Sequence, residues 1–234
     1  MFLIALAGLD EFYRMALPAR RGEGRLAALL GASALFTVFA GNPVFPLMAL
    51  TCLVLVFSLI ALFRLQDIHQ AAAEAALVLM GFLYVPLLLS HLVMLRMLPH
   101  GVSWLFLIMV IVMTGDSAAY YVGSSFGKTK LYPAVSPKKS VEGSLGGLVG
   151  SSAGAFLARA IFFPELSPFD CIATALLLGV LGQLGDLFES LIKRSCGVKD
   201  SGSIFPGHGG ILDRLDSILF AGPAAYYYAY FLLR

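Results

Sequence analysis

Charge is what this sequence has least of. Asp, Glu, Lys and Arg make up 13% of the chain, against 59% hydrophobic residues and a mean hydropathy of +0.87. A soluble domain carries about 25% charged residues. So few could not cover a water-soluble fold of 234 residues, and hydrocarbon must be the main solvent. Cysteine is also scarce: Cys52 and Cys171 lie in apolar runs and Cys196 in a polar one, and an odd count without regular spacing excludes a disulfide framework and a zinc site. A net charge of +2 gives no reason to expect nucleic acid as a partner. No hydrophilic block is long enough to fold separately, and no internal repeat is apparent. No cleavable signal peptide is expected, because apolar Met1–Leu9 runs into Asp10, Glu11 and Arg14 without a small-residue cleavage site.

What is present is a series of apolar runs. A membrane-spanning helix needs about 20 predominantly apolar residues. The candidates are Phe2–Leu17, Leu26–Gly41, Phe45–Phe63, Ala75–Leu98, Val102–Tyr121, Gly143–Phe163, Phe169–Leu191 and Ile211–Leu233, with Pro86 expected to kink the fourth. The expected fold class is therefore all-α, a polytopic transmembrane helical bundle of about eight spans. Residues 1–100 form its N-terminal helices, and residues 101–234 a region with two polar loops, 126–142 and 192–210.

The basic residues orient these runs. If the segment after the first run is cytoplasmic, the inside loops hold Arg20, Arg21, Arg25, Arg64, Lys128, Lys130, Lys138, Lys139, Lys193, Arg194 and Lys199. The outside segments hold only Arg96 and Arg234, while Arg14, Arg159 and Arg214 fall within helices. This alternation is the positive-inside pattern, and it places both termini outside. Both long polar loops then lie on the cytoplasmic side, where chemistry on a polyanionic, water-soluble substrate is expected. The GxxxG pairs Gly143/Gly147, Gly146/Gly150 and Gly150/Gly154, and the stripe Gly179, Gly182 and Gly185, read as close helix packing.

Acidic residues within apolar runs are the informative ones, since an Asp at bilayer depth is costly unless paired, hydrated or metal-bound. Asp186, Glu189, Ser190 and Lys193 follow i, i+3, i+4, i+7 spacing and share one helix face. Asp213 and Asp216 are i, i+3 neighbours at the start of the last helix, with Arg214 between them. Such carboxylates suit magnesium, which binds through one or two of them plus phosphate oxygens and water. Neighbouring lysines and arginines would neutralise phosphate charge. The competing reading is plain helix-end ion pairing, Asp186 with Lys193 and Asp213 with Arg214. His208, among Gly207, Gly209 and Gly210, reads either as a phosphate contact or as part of a helix-entry turn. Asp116 lies late in the fifth run, ahead of Lys128, Lys138 and Lys139. That loop reads as a nucleotide- or lipid-phosphate-binding segment, with a simple topology determinant as the alternative. His69, His91 and His100 read as structural or lipid-facing.

The stretch from Ser190 to Asp216 (SLIKRSCGVKDSGSIFPGHGGILDRLD) closely resembles the signature of the phosphatidate cytidylyltransferases, also called CDP-diacylglycerol synthases. Gly185–Asp186–Leu187, Asp116 through Tyr120, Gly127–Lys128, Pro133, and Ser136–Pro137–Lys138–Lys139 running to Glu142–Gly143 resemble the same family. The resemblance is motif-specific over residues 110–220 and rests on hydropathy elsewhere. It implies transfer of a cytidylyl group from CTP to phosphatidate in phospholipid biosynthesis, releasing pyrophosphate. It implies Mg2+ held by Asp186 and Asp213 with Asp216 assisting, and leaves room for a monovalent cation such as K+. Lys193, Arg194 and Lys199 would contact phosphates, with Ser190 and His208 nearby, and the Lys138–Lys139 loop would close over the nucleotide. The bacterial cytoplasmic (inner) membrane is the expected location, with the site on its cytoplasmic face; the partners are CTP and bilayer phosphatidate, and a homodimer is left open. Members usually carry a further apolar helix before the Glu-Phe-Tyr-Arg stretch that begins here at Glu11, and such a helix would move the N-terminus to the cytoplasm.

Three other readings stand beside this one. A CTP-dependent enzyme acting on an ether lipid or a polyprenol would share most of these features. An ion-coupled transporter would place its acids near the midplane and show inverted repeats, whereas these acids cluster at one end. A catalytically dead scaffold is disfavoured because the acidic and basic residues are all present.

Overall fold

The apolar runs form helices because a backbone in hydrocarbon must satisfy its own hydrogen bonds. In the computed structural model the described residues are 1–34, 37–38, 42, 44–63, 68–205, 207 and 209–232. Helix α1 spans Phe2–Ala16, α2 Arg21–Ala34, α3 Val44–Phe63, α4 Ile68–Phe82 and α5 Leu88–Met97. Then follow α6 (Gly101–Phe126), strands β1 (Lys130–Tyr132) and β2 (Ser136–Ser140), α7 (Val141–Ile161), α8 (Pro168–Ser195) and α9 (Leu212–Leu232).

Among the described residues four helical stretches are long and apolar enough to cross a membrane: His69–Met97, Gly101–Phe126, Val141–Ile161 and Pro168–Ser195. Val44–Ile60 is a shorter apolar one. Helix α1, of 15 residues, falls short of the roughly 20 needed. Helix α9 carries Asp213, Arg214 and Asp216 in its first turns, which leaves Ser217–Leu232 as its uncharged part.

The expected kink at Pro86 takes the form of a π-helical turn, Leu83–Leu87, joining α4 to α5. Proline has no N–H to donate and its ring crowds the preceding turn, so the helix widens there.

Several expectations are corrected. The chain is mostly helical but not all-α: the loop over 126–142 holds an antiparallel hairpin pairing Lys130 with Ser140 and Tyr132 with Ser136. Lys193 and Arg194 lie in the last turn of α8, not in a loop, because α8 continues to Ser195. Arg21 and Arg25 likewise belong to α2, described over Arg21–Ala34. Arg64, Gly41, Pro206, His208, Leu233 and Arg234 lie outside the described residues.

The chain forms two compact units. The first comprises Met1–Val93 with Cys196–Arg214. Its core is the inward face of α1 (Ala5, Leu9, Phe12 and Tyr13) with Ala27, Ala28 and Ala32 of α2 and Phe82 and Val85 beyond them. Tyr13 buries its ring and donates its hydroxyl to the Val78 carbonyl at 2.8 Å, and Phe12 meets it edge-on at 5.6 Å.

The second unit comprises Met94–Ser195 with Leu215–Arg234. Here α6 and α7 pack closely along the expected glycine stripe. A Cβ on Gly146 would lie 2.6 Å from Val122, one on Gly150 2.7 Å from the Thr114 carbonyl oxygen, and one on Gly154 would strike the Thr114 side chain. Gln183 of α8 ties to α7 through Ser144, accepting from its hydroxyl and donating to its carbonyl at 3.1 Å. Gly185 faces the Asp216 backbone carbonyl with no room for a side chain. His91 Nδ1 donates to the Leu87 carbonyl of its own helix at 2.9 Å, and His100 stacks on Phe163 at 5.9 Å. These placements match the structural reading of both.

Candidate active site

In the second unit an acidic cluster forms because three helices each contribute one carboxylate. Asp116 comes from α6, Asp186 from α8 and Asp216 from α9. Asp116 and Asp216 both feel the negative charge of Asp186. Lys139 Nζ lies 2.5 Å from Asp186 Oδ2, with each side chain about one-third exposed. Lys139 reaches there from β2, whose pleat leaves Lys138 exposed.

The hairpin is held at both ends. Ser140 caps α7 by accepting from the Gly143 amide at 3.1 Å. Glu142 accepts from the Lys128 and Thr129 amides, each at 3.1 Å, so its carboxylate pins the start of the lysine-bearing segment.

The face expected on α8 divides into two pairs. Ser190 Oγ lies 3.5 Å from Asp186 Oδ1, long for a hydrogen bond. Lys193 pairs with Glu189 at 3.2 Å, and both are buried. Lys193 therefore meets Glu189, not Asp186, because i, i+4 spacing brings those two side chains together. Arg194 is exposed.

In the first unit the signature loop is wound around two other carboxylates. Asp213 Oδ2 accepts from the Ser201 amide at 2.9 Å, the Ser201 hydroxyl at 2.8 Å and the Gly210 amide at 2.7 Å. Glu11 of α1 accepts from the Ser201 hydroxyl and from the Ile211 and Leu212 amides, each at 3.0 Å. Phe205 and Gly209 close the loop with a backbone hydrogen bond of 3.0 Å, and Gly207 and Gly209 take φ of 77° and 80°, where glycine alone is unstrained. Lys199 and Asp200 are exposed ahead of this turn.

The sequence reading passed over Glu11, Ser201 and Glu142. For Glu11 a signal was there, a carboxylate within an apolar helix. Its partners lie about 190 to 201 residues away in sequence, so no local spacing reveals them.

The donors suit magnesium in kind. Among the described residues no three His, Cys, Asp or Glu side chains make a ready cage, and this ion does not require one. It takes one or two carboxylates and completes its shell with phosphate oxygens and water. The Lys139 ammonium already sits where a cation would balance Asp186.

The second unit thus holds carboxylates answered by an ammonium on a pinned hairpin, and the first a glycine-rich loop wound on Glu11 and Asp213. Residues 1–232 match the sequence profile of the cytidylyltransferase family, and the chain belongs to that family. A phosphatidate cytidylyltransferase of Synechocystis is 34% identical over 265 aligned residues, covering 99% of this chain and 87% of the relative. One from Thermotoga maritima is 36% identical over 207 residues, covering 82% and 73%. One from Bacillus subtilis is 41% identical over 155 residues, covering 66% of this chain and 58% of its own length.

Proposed function

We propose that the protein transfers a cytidylyl group from CTP to phosphatidate, giving CDP-diacylglycerol and pyrophosphate. The observation that carries this reading is the acidic cluster of Asp116, Asp186 and Asp216 faced by Lys139, within a chain matched over residues 1–232 by the family profile.

The chemistry needs alignment and charge control. A phosphate oxygen of phosphatidate attacks the α-phosphorus of CTP, a new P–O bond forms, and the bond to the bridging oxygen breaks as pyrophosphate leaves with its electrons. The nucleophile is already ionised near neutral pH, so no dedicated base is required. Both reactants are polyanions, and mutual repulsion is part of the barrier. Magnesium, when bound, supplies charge neutralisation between the phosphates. In this reading Asp186 and Asp213 would hold the ion with Asp216 assisting, and Asp213 also holds Ser201 and Gly210. The acidic site would also have a place for a monovalent cation such as K+. Lys128, Lys138 and Lys139 on the hairpin, with Arg194 and Lys199, receive phosphate oxygens. Lys139, paired with Asp186 in this structure, would be released to a substrate phosphate if that carboxylate served a cation. Ser190 steadies Asp186, and Lys193 stays bound to Glu189, close to the acids.

The bundle is proposed to have about eight spans, with hairpin and signature loop at the cytoplasmic face of a bacterial inner membrane. CTP then enters from water and phosphatidate from the bilayer.

The test uses purified protein, magnesium, phosphatidate and CTP labelled in its α-phosphate, scored for label in the lipid phase. Polyprenyl phosphate and ether-lipid acceptors serve as controls. Label in lipid that depends on phosphatidate is expected, and label that appears only with another acceptor sinks the assignment. Asp186→Asn should remove the product while the protein inserts normally. Near-normal turnover of this variant would refute the metal role.

A further inference from the structure

Glu11 is a carboxylate buried in the middle of α1, 4% exposed. Burial of such a group is costly unless hydrogen bonds replace its water. Its replacements all come from one segment: the Ser201 hydroxyl and the Ile211 amide at 3.0 Å, and the Leu212 amide also at 3.0 Å. The two amides lead directly into α9, where orphan N–H groups favour a negative charge. Glu11 is thus an N-terminal cap supplied from a distant helix.

The segment is also shaped to its carboxylate. A Cβ on Gly202 would lie 2.7 Å from Glu11 Cδ, and one on Gly210 would strike both the Glu11 carboxylate and Ser201 Oγ. Ser201 joins Glu11 to Asp213, since its hydroxyl stands 3.0 Å from Glu11 and 2.8 Å from Asp213. One proton cannot serve both acceptors at once, so the placement of Asp213 is linked to that of Glu11.

We propose that Glu11 is a positioning residue for cytidylyl transfer: it fixes Ser201 and the Ile211–Leu212 entry to α9 and so sets where the Asp213 carboxylate is presented. This rests on the functional reading above.

The test compares Glu11→Gln with the unmodified full-length protein by hydrogen exchange and steady-state kinetics. Gln keeps the shape but turns an NH2 group toward an amide donor, so the clasp loses one acceptor. Exchange should rise about tenfold or more over residues 201–212 and stay unchanged in α6 to α8, since local openings report local hydrogen bonding. Misaligned groups cost the transition state more than the ground state, so kcat should fall about tenfold or more while KM for CTP moves less than about threefold. Gly202→Ala, which displaces the same carboxylate sterically, should reproduce the split. The double variant should be little worse than either single one, as expected of residues acting as a unit. If Glu11→Gln does not yield folded protein, Gly202→Ala alone carries the comparison. Unchanged kcat in the folded variants overturns the positioning role. Exchange rising evenly along the chain overturns the clasp. Failure of the unmodified protein to make CDP-diacylglycerol overturns the functional reading and the positioning role with it, while the exchange pattern still reports whether Glu11 holds the loop.

Discussion

At the scale of single residues, the contact between Lys139 and Asp186 is the one whose worth to the fold and worth to the chemistry separate most cleanly. Its 2.5 Å approach is short, yet both side chains are about one-third exposed. Half-open ion pairs contribute roughly 0–1 kcal/mol to stability. Lys139→Met should therefore leave the unfolding temperature in detergent nearly unchanged, while label incorporation into lipid falls about tenfold or more, as expected when a charge beside a transferring phosphate is lost. If activity falls only in proportion to stability, the lysine is a structural partner and nothing more. The residue-level reading reached Asp186, Asp213 and Asp216 because acids in apolar helices stand out and helical spacing groups them. It could not show that Lys193 turns to Glu189, since Asp186 and Glu189 both lie within reach of that position on the helix. It passed over Glu11 because a clasp closed across about 190 residues has no local pattern.

At the scale of elements, close approach of α6 and α7 organises the second unit and was legible from the glycine spacing. Small residues three and four apart leave a groove that a neighbouring backbone can enter. A Cβ on Gly150 would lie 2.7 Å from the Thr114 carbonyl oxygen, and that atom cannot move without disturbing α6. Gly150→Val should therefore destabilise the protein by about 1–3 kcal/mol, the usual cost of overpacking, read by thermal unfolding in detergent. Gly22 near the start of α2 has nothing within 4 Å of its would-be Cβ. Gly22→Ala should leave stability unchanged or raise it by up to about 1 kcal/mol through helix propensity; equal losses in the two variants would show that the glycine stripe has no special packing role. The hairpin was not legible. Its strands, Lys130–Tyr132 and Ser136–Ser140, are short and lack the alternation of apolar residues that marks a half-buried sheet. They are set instead by the Tyr132–Val135 turn and by the Glu142 carboxylate.

At the scale of the whole molecule, the distribution of charge makes a prediction about sidedness. Most Lys and Arg residues fall in segments assigned to the inside, and insertion machinery retains such segments in the cytoplasm. The lysine hairpin and the loop bearing Lys199 must then both be shielded from a membrane-impermeant reagent added to intact cells, whereas Arg96, at the end of α5, must be open to it. Single-cysteine variants at Lys138, Lys199 and Arg96, made after replacing Cys52, Cys171 and Cys196, test this with an impermeant maleimide. Lys138→Cys and Lys199→Cys should label only after the membrane is opened, and Arg96→Cys before. The exposure of Lys138, Lys199 and Arg96 in the folded chain removes burial as an alternative cause of protection. Labelling of Lys138→Cys in intact cells would put the hairpin on the side away from cytoplasmic CTP. The phosphate-handling role of its lysines would then fall, whatever the acidic cluster does.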